Sequence, residues 1–389
     1  MMKMGYNTNH TDSINRFLPI FIVLAQYTVW GISLGLILLL IFSVTDLVRY
    51  QTVVIHKWMI IYIFACLFLQ VFFHNLTNGV LTILTAFFTL LVLCGKINEK
   101  ALCKSYKLWG AIMMVGLMYH VVLVYIFKQN VYPLRVLPVG INSADWMRLM
   151  DRPVSFFSEP QAYASYMMPF LFLLLRNKDY RWAIAVTLTI FLSNSTQGFF
   201  MMMVLWSFHF LYNGKKMKYW GVLIVVFFLS LYFFSPFFEY ARGKMTDETA
   251  SSIRLTRGFE IFDQMTAGEK LIGIGFQNVA EYVYSVKNKF EWGVGNEGDM
   301  LGFISGFSGN MVQFGLVGTF FLLLMYYKFW KNYDPHSRAF LLTIFVSSFS
   351  QNLVFNAYFI YFFLIYLGIN TNHGKRLSFK KHHDKIHII

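Results

Sequence analysis

Residues 108–128 read LWGAIMMVGLMYHVVLVYIFK, an apolar run that begins after Lys107 and closes at Lys128. No Asp, Glu, Lys or Arg lies between these two lysines. An α-helix needs about 20 apolar residues to cross the ~30 Å hydrocarbon core of a bilayer. The run therefore predicts a transmembrane helix.

Comparable runs recur along the chain. The other clear ones are 58–74, 77–95, 159–175, 219–238 and 303–328. Three longer regions, 17–46, 182–212 and 338–370, each contain a polar or glycine break, and we divide each into two helices. The division of 17–46 at Trp30-Gly31 has an open alternative, because one long tilted helix would also fit. The pattern predicts an all-α polytopic membrane protein of 11–12 transmembrane helices, with 1–389 as a single integral-membrane domain.

The composition agrees with this class of protein. Hydrophobic residues make up 57% of the 389 residues and charged residues only 13%, about half the charge of a soluble domain. Such a chain has too few polar groups to cover its surface in water, which excludes a soluble enzyme, a disordered tail and a fibrous repeat. The chain has three cysteines, Cys66, Cys94 and Cys103, and an odd number argues against a disulfide framework. Their spacing is also not that of a zinc site.

The distribution of charge predicts the orientation. About two thirds of the 33 Lys and Arg residues lie in both tails and in alternate connections, such as Lys215-Lys216-Met217-Lys218. The positive-inside rule places that side in the cytoplasm, so both termini are predicted to be cytoplasmic. Topology and contact with membrane lipids account for the net charge of +14, and no nucleic-acid partner is expected.

Two connections on the opposite side are long, residues 129–158 and 239–302. Long loops between helices are uncommon unless they are functional or disordered. Both contain apolar residues and glycines typical of folded segments. We therefore expect these loops to form an extracytoplasmic site that carries short amphipathic helices.

The first long loop ends in the segment 151–161, DRPVSFFSEPQ, which opens a helix. Ser158 and Gln161 have the spacing of a capping box, and Pro160 suits a first helical turn. One interpretation of Glu159 is a first-turn carboxylate favoured by the helix dipole. The other is a general base that accepts a proton from an incoming hydroxyl, with Arg152 nearby for an anion.

In the second loop, residues 251–268 predict an amphipathic helix of three to four turns. Leu255, Phe259 and Phe262 occur at i, i+4 and i+7 and form its apolar stripe. Gly268 is placed to end the helix.

Two arginines of this predicted helix, Arg254 and Arg257, lie three residues apart on another face. Their guanidinium groups match the oxygens of a pyrophosphate, and the alternative is contact with anionic lipid headgroups. Arg242 and Lys244 add positive charge at the start of the loop and are weaker candidates for substrate binding.

Polar clusters interrupt three of the apolar runs. They are Ser193–Gly198, Ser308–Asn310 with Gln313, and Gln351-Asn352. Buried amides and hydroxyls need partners in lipid, so these clusters face other helices or a wet cavity. Sugar hydroxyls are one set of partners, and helix–helix hydrogen bonds are the alternative. The candidates for sugar binding are Asn194, Ser195, Gln197 and Asn310. No metal cluster or nucleotide loop is visible, so no cofactor is expected.

Four segments together resemble the polysaccharide repeat-unit polymerases of O-antigen and capsule pathways, the Wzy type, which are related to O-antigen ligases. The segments are Arg152 with Ser155–Pro160, Leu192–Gly198, Arg257 with Leu271–Gly275, and Gly309–Gly318. Some of these polymerases carry an arginine, ten residues and a glycine in each of two loops; Arg257 and Gly268 match this pattern, and the first loop does not. Neither long loop contains a histidine, which favours polymerase over ligase.

The resemblance implies a glycosyltransferase that works without a metal at the periplasmic face of the bacterial inner membrane. Two undecaprenyl-pyrophosphate-linked oligosaccharides would meet there, and a chain-length regulator protein is implied as a further partner. Glu159 is expected to act as general base, and Arg152, Arg254 and Arg257 as pyrophosphate contacts. Two alternatives stay open: an O-antigen ligase that transfers glycan to lipid A core, and a lipid-linked oligosaccharide flippase or other transporter.

Overall fold

The computed structural model of the chain describes residues 12–29, 32–74, 78–137, 149–212, 252–286, 290, 304–371 and 375–378. Within these ranges the chain is mostly helical. The helices are α1 (Asp12–Leu24), α2 (Leu34–Tyr50), α3 (Lys57–Phe73), α4 (Asn78–Leu93), α5 (Glu99–Val121), α6 (Pro160–Arg176), α7 (Tyr180–Leu192), α8 (Thr196–Tyr212), α9 (Ser252–Gln264), α10 (Ala267–Ile272), α11 (Val279–Ser285), α12 (Gly306–Asn332), α13 (Pro335–Ser347) and α14 (Ala357–Ile369). The strands are β1 (Thr28–Val29), β2 (Ile32–Ser33), β3 (Thr52–Ile55) and β4 (Lys375–Ser378).

Three stretches in this part of the chain are long and apolar enough to cross a membrane. They are Gly79–Lys96, Glu99–Ile126 and Gly306–Asn332. Other helices are apolar but shorter; the 13 residues of α7 rise only about 20 Å, less than the hydrocarbon core. The structure thus supports an all-α membrane protein. Judged by helix length, its described ranges hold fewer full spans than the 11–12 predicted, because polar turns cut several apolar runs into shorter helices.

The divisions predicted in the three longer apolar regions are confirmed. The β1–β2 pair separates α1 from α2, so one continuous helix over 17–46 is wrong. Residues 193–195 separate α7 from α8, and residues 348–356 separate α13 from α14. The predicted helix at 219–238 lies outside the described residues.

Exposed apolar stripes run along the candidate spans. In the candidate span Glu99–Ile126, the exposed apolar residues include Leu108, Ile112, Val115, Val122 and Ile126. On α12 they include Leu316, Phe320, Leu323 and Tyr327. Both sets recur at helical spacing over several turns. Monomeric soluble proteins rarely expose continuous apolar surfaces of this length, so lipid is the medium that such faces fit.

The structure divides into two compact units, each assembled from segments distant in sequence. The first comprises Met1–Ile55, Thr89–Phe228 and Tyr361–Ile389, and the second comprises His56–Phe88 and Leu229–Ile360. In the first unit, every residue of α6 from 163 to 175 is buried. A helix that is buried on all sides belongs to a protein core rather than to a lipid-facing surface.

The main helix of the second unit, α12, is broken at Gly315, which has φ 62° and ψ −165°. Such a break frees backbone carbonyl groups that an unbroken helix would pair. The amides of Ile274 and Gly275 donate to the carbonyl oxygens of Val312 and Gln313, each at 3.0 Å. Residues 274 and 275 thus complete the backbone hydrogen bonding of a broken apolar helix.

The helix predicted over 251–268 is two helices. α9 ends at Gln264, and the side chains and amides of Thr266 and Glu269 form a reciprocal capping box that starts α10. Gly268 lies in the first turn of α10, so its predicted role as a helix end is wrong. The capping box satisfies amide groups that a continuous helix would otherwise have paired, which favours the new start.

The buried face of α9 differs in part from the predicted stripe of Leu255, Phe259 and Phe262. Gly258 and Ile261 of α9 are buried, as is Met265 just after its end, while Phe259 is 38% exposed. Phe262 packs against the same cluster, and the side chain of Leu255 lies outside the described residues. Ile261 and Met265 belong to a cluster with residues of α11 and α12. The glycine lets α9 approach its neighbour closely, and this close approach determines which face is covered.

β3 and β4 pair in antiparallel register, with Thr52 opposite Ser378 and Ile55 opposite Lys375. Nearby, the Lys96 ammonium donates to the Thr52 hydroxyl at 3.0 Å and lies 3.9 Å from the centroid of the Tyr50 ring. This pairing attaches the segment after α14 to the connection between α2 and α3.

Candidate functional site

The end of the first long loop is anchored by Ser155. This residue has φ 56°, is fully buried, and donates its hydroxyl to the Met113 carbonyl at 2.7 Å. Its amide donates to Nδ1 of His120 at 3.1 Å, and its carbonyl accepts from the Leu134 amide at 2.8 Å. An Nδ1 atom that accepts a hydrogen bond requires the neutral imidazole. These bonds determine the path of the chain three residues after Arg152.

The start of α6 differs from the prediction. Glu159 is the N-cap residue, and its side chain makes no capping hydrogen bond. The Ser158 amide donates to the side-chain oxygen of Gln26 at 3.0 Å, and the Ser158 hydroxyl lies 3.5 Å from the same atom. The predicted capping box of Ser158 and Gln161 is therefore wrong, because Ser158 bonds to Gln26 and the N-cap position belongs to Glu159. Pro160 does occupy the first turn, as predicted.

The structure brings Arg152 to the polar break after α7. One terminal nitrogen of its guanidinium, Nη1, donates to the Asn194 carbonyl oxygen at 3.4 Å, and Nε lies 3.6 Å from a carboxylate oxygen of Asp151. The Arg152 side chain is 19% exposed and that of Asp151 is 54% exposed. A bound anion at Arg152 would compete with the more exposed Asp151 carboxylate.

Three of the predicted sugar-binding residues shape this break. Asn194 has φ 53° and follows the end of α7, a conformation that asparagine tolerates. The Ser195 hydroxyl accepts from the Gly198 amide at 3.2 Å and caps α8. Gln197 donates its side-chain amide to the Ser165 hydroxyl at 3.3 Å. The Gln197–Ser165 bond joins α8 to α6 and is of the helix–helix type of the alternative interpretation. Sugar binding by the three residues stays a prediction.

The sequence did not predict a role at this site for Gln26 or Ser165. A buried hydroxyl in an otherwise apolar helix, as Ser165 is in α6, marks close helix packing and could have been recognised. Gln26 could not, since its partner lies 132 residues away.

In the second unit, α9 packs on the first turn of α12. A Cβ atom added at Gly258 would overlap the Ser308 side chain. The neighbouring Arg257 is partly buried, and this burial lowers the pKa of its guanidinium below the usual value. The charge of Glu260 acts in the opposite direction but has the smaller effect. An arginine retains its charge at neutral pH under such a shift. Arg257 thus offers a fixed positive charge beside a docked helix surface.

Three other basic candidates cannot be placed in this way. The side chain of Arg254 lies outside the described residues, although its backbone belongs to α9. Arg242 and Lys244 lie outside the described residues entirely. Their roles stay predictions.

Asn310 joins α3 to both halves of α12. The Tyr62 hydroxyl donates to its side-chain oxygen at 2.8 Å, and its amide nitrogen donates to the Thr319 hydroxyl at 3.2 Å. Thr319 in turn donates to the Gly315 carbonyl at 2.8 Å, beside the break. Asn310 is fully buried. Binding of a sugar by Asn310 would require this network to open.

The site residues belong to two separate sets. Arg152, Glu159 and the break at 193–198 belong to the first unit, and Arg257 and Asn310 belong to the second. The described ranges contain no group of three or more His, Cys, Asp or Glu side chains that could hold a metal ion.

No protein-family model matches this chain, and no curated protein matches it significantly. The functional interpretation therefore depends on the residues and their geometry.

Replacing Gly258 with alanine is expected to lower the free energy of unfolding by about 1–3 kcal/mol, because the new methyl group overlaps Ser308. Thermal unfolding of the two proteins in detergent measures this loss of stability. The double variant Gly258→Ala with Ser308→Gly removes the obstructing side chain and is expected to recover part of the loss. Equal stability of Gly258→Ala and the original protein would contradict this docking of α9.

Proposed function

We propose that this protein is a polymerase that joins undecaprenyl-pyrophosphate-linked oligosaccharide repeat units into O-antigen or capsular polysaccharide. In this proposal it crosses the bacterial inner membrane 11–12 times, using the shorter helices together with the full-length ones, and both termini are cytoplasmic. The two long loops then lie at the periplasmic face, where the lipid-linked substrates are held by their pyrophosphate groups.

The observation that carries the proposal is the contact between Arg152 and Asn194. It joins two segments of the resemblance that are 42 residues apart in sequence. A guanidinium group beside a break between two apolar helices can meet a lipid-linked anion at the membrane surface, because it stays charged and binds phosphate oxygens in pairs. This meeting of a loop arginine with a polar break supports a lipid-pyrophosphate site better than it supports a water-soluble substrate.

The proposed reaction forms one glycosidic bond, breaks one bond between a sugar and pyrophosphate, and transfers one proton. A hydroxyl oxygen of the acceptor glycan attacks the anomeric carbon of the donor, and the bond from that carbon to the pyrophosphate breaks. The Glu159 carboxylate takes the hydroxyl proton, and the pyrophosphate leaves with the bonding electrons. The resemblance implies Arg152, Arg254 and Arg257 as the pyrophosphate contacts, and positive charge of this kind stabilises the negative charge that develops on a leaving group.

Purified protein in detergent, supplied with a defined lipid-linked repeat unit, tests the proposal. A polymerase is expected to make longer glycans there, since the reaction needs no separate compartments. A flippase or another transporter would leave the repeat unit unchanged. Lipid A core added as acceptor tests the ligase alternative. Failure to elongate under conditions where the protein is folded would overturn the proposal.

Replacing Glu159 with glutamine is expected to lower the elongation rate by about 10²–10⁴-fold, because the general base is lost. Stability should change little, since glutamine keeps the length and shape of the glutamate side chain. Glu281→Gln is the matched control: it is an exposed carboxylate in the first turn of α11 and loses the same helix-dipole interaction. Equal rates for the two variants would assign Glu159 to helix stabilisation alone.

A further inference from the structure

Two lysines from different helices meet at one tryptophan in the second unit. Lys57 and Trp58 begin α3, and the Lys57 ammonium lies 5.3 Å from the centroid of the Trp58 ring. Lys328, near the end of α12, places its ammonium 4.9 Å from the centroid of the same ring. The Lys328 ammonium also lies 5.7 Å from the centroid of the Tyr327 ring. We call these four residues the lysine–tryptophan cluster.

The positive charge of this cluster is not neutralised by protein within the described ranges. Neither Lys57 nor Lys328 forms an ion pair with a described carboxylate. Asp334, in the turn after α12, is committed to capping α13, where its carboxylate accepts from His336 and Ser337. An indole ring attracts an ammonium group but leaves its charge in place. The two like charges therefore face one ring without a described carboxylate between them.

The backbone adds to this positive charge. α3 begins at Lys57 without a side-chain cap on its first amides. The first turn of a helix carries the positive end of the helix dipole. An anion at the cluster would thus interact with two ammonium groups and with the start of a helix.

The position along α12 identifies the kind of anion. α12 is a candidate membrane span, and a crossing helix places its end at the level of the lipid headgroups. The exposed residues Phe320, Leu323 and Tyr327 lead along α12 to Lys328. Tryptophan, tyrosine and lysine are the residues enriched at that level of a membrane. An amphiphile with apolar chains and a phosphate group fits this surface better than a soluble anion does.

We propose that the lysine–tryptophan cluster binds the phosphate of an anionic phospholipid from the surrounding bilayer. Lys57 and Lys328 hold the phosphate oxygens, Trp58 separates the headgroup from the hydrocarbon, and the acyl chains lie on the exposed face of α12. The binding is independent of glycan polymerisation and is tested without lipid-linked sugars.

Native mass spectrometry of the purified protein in neutral detergent tests this directly. Phosphatidylglycerol and phosphatidylcholine with the same acyl chains are titrated separately. We expect phosphatidylglycerol to bind at least about tenfold more tightly, and the preference to fall as salt is raised. The double variant Lys57→Gln with Lys328→Gln is expected to lose most of this preference. The control Lys331→Gln, exposed at the same end of α12, is expected to keep it.

Further comparisons separate charge from folding and lipid from free phosphate. The variant Lys57→Arg with Lys328→Arg retains both charges and is expected to bind phosphatidylglycerol like the original protein. Soluble glycerol phosphate should not displace the lipid. An unchanged preference in the double glutamine variant would overturn the proposal. So would equal binding of the two lipids by the original protein, or displacement by glycerol phosphate.

Discussion

Cells that carry Arg257→Ala are expected to make no long-chain glycan, although the variant protein is inserted and abundant. Removing one charged contact to a leaving group lowers a rate by about 10²–10³-fold. The docking of α9 should survive, since Gly258, Ile261 and Met265 supply the buried contacts there. The glycan ladder on a gel and an immunoblot of the membranes measure elongation and protein amount.

Lysine at position 257 distinguishes a pyrophosphate contact from a contact with lipid headgroups. Lysine supplies a positive charge but cannot match two phosphate oxygens with a planar fork, so Arg257→Lys should restore little elongation. A headgroup contact would accept either residue. Lys270→Ala is the control, because Lys270 is a cation on the neighbouring α10, 5.8 Å from the centroid of the Phe262 ring. Normal long-chain glycan from Arg257→Ala would remove Arg257 from the site.

Replacing Gly273 with alanine is expected to prevent stable folding of the second unit. Gly273 has φ 84°, and a Cβ atom there would overlap the backbone carbonyl of Gln313. The clash is with main chain on the broken helix α12, where no side chain can move aside. We expect a loss of at least about 3 kcal/mol in unfolding free energy and poor accumulation in membranes.

Gly268→Ala is the matched control for this substitution. A Cβ atom at Gly268 meets nothing within 4 Å, and the residue lies in the first turn of α10. Alanine should therefore be neutral or should stabilise by up to about 1 kcal/mol. Yield and thermal midpoint by size-exclusion chromatography in detergent compare the two variants. A thermal midpoint of Gly273→Ala equal to that of Gly268→Ala would contradict the packing of this turn against α12.

Gly268→Ala also tests one element of the resemblance. Arg257 and Gly268 have the spacing of a pattern found in some repeat-unit polymerases. The structure places the two residues on different helices, α9 and α10. Full elongation by Gly268→Ala would show that the glycine of this pattern is not required for the reaction.

The local predictions that succeeded share a physical origin. Pro160 in a first turn and the breaks at 193–195 and 348–356 follow from properties of single residues or of short segments. Those properties act within a few residues, so they are visible in a sequence. The predictions that failed concern competition between local and distant hydrogen-bond partners. Ser158, for example, donates its amide to Gln26 instead of capping α6 with its side chain.

The burial of α9 shows the same limit. Periodicity indicates an apolar stripe through Phe259, yet Phe259 is 38% exposed and the covered face contains Gly258. Hydrophobicity favours the larger side chains, whereas close approach of two helices favours the position with no side chain. Which of these effects wins depends on the surface of the partner, here the first turn of α12.

Amino-acid order alone was sufficient for the membrane class, the helical architecture and most helix breaks, because the need to bury backbone polar groups in lipid acts on every apolar segment. The meeting of Arg152 with Asn194 and the completion of broken α12 by residues 274–275 required the folded chain. So did the convergence of Lys57 and Lys328 on Trp58. Each joins segments far apart in sequence, and packing between helices, which local patterns do not encode, determines their distance.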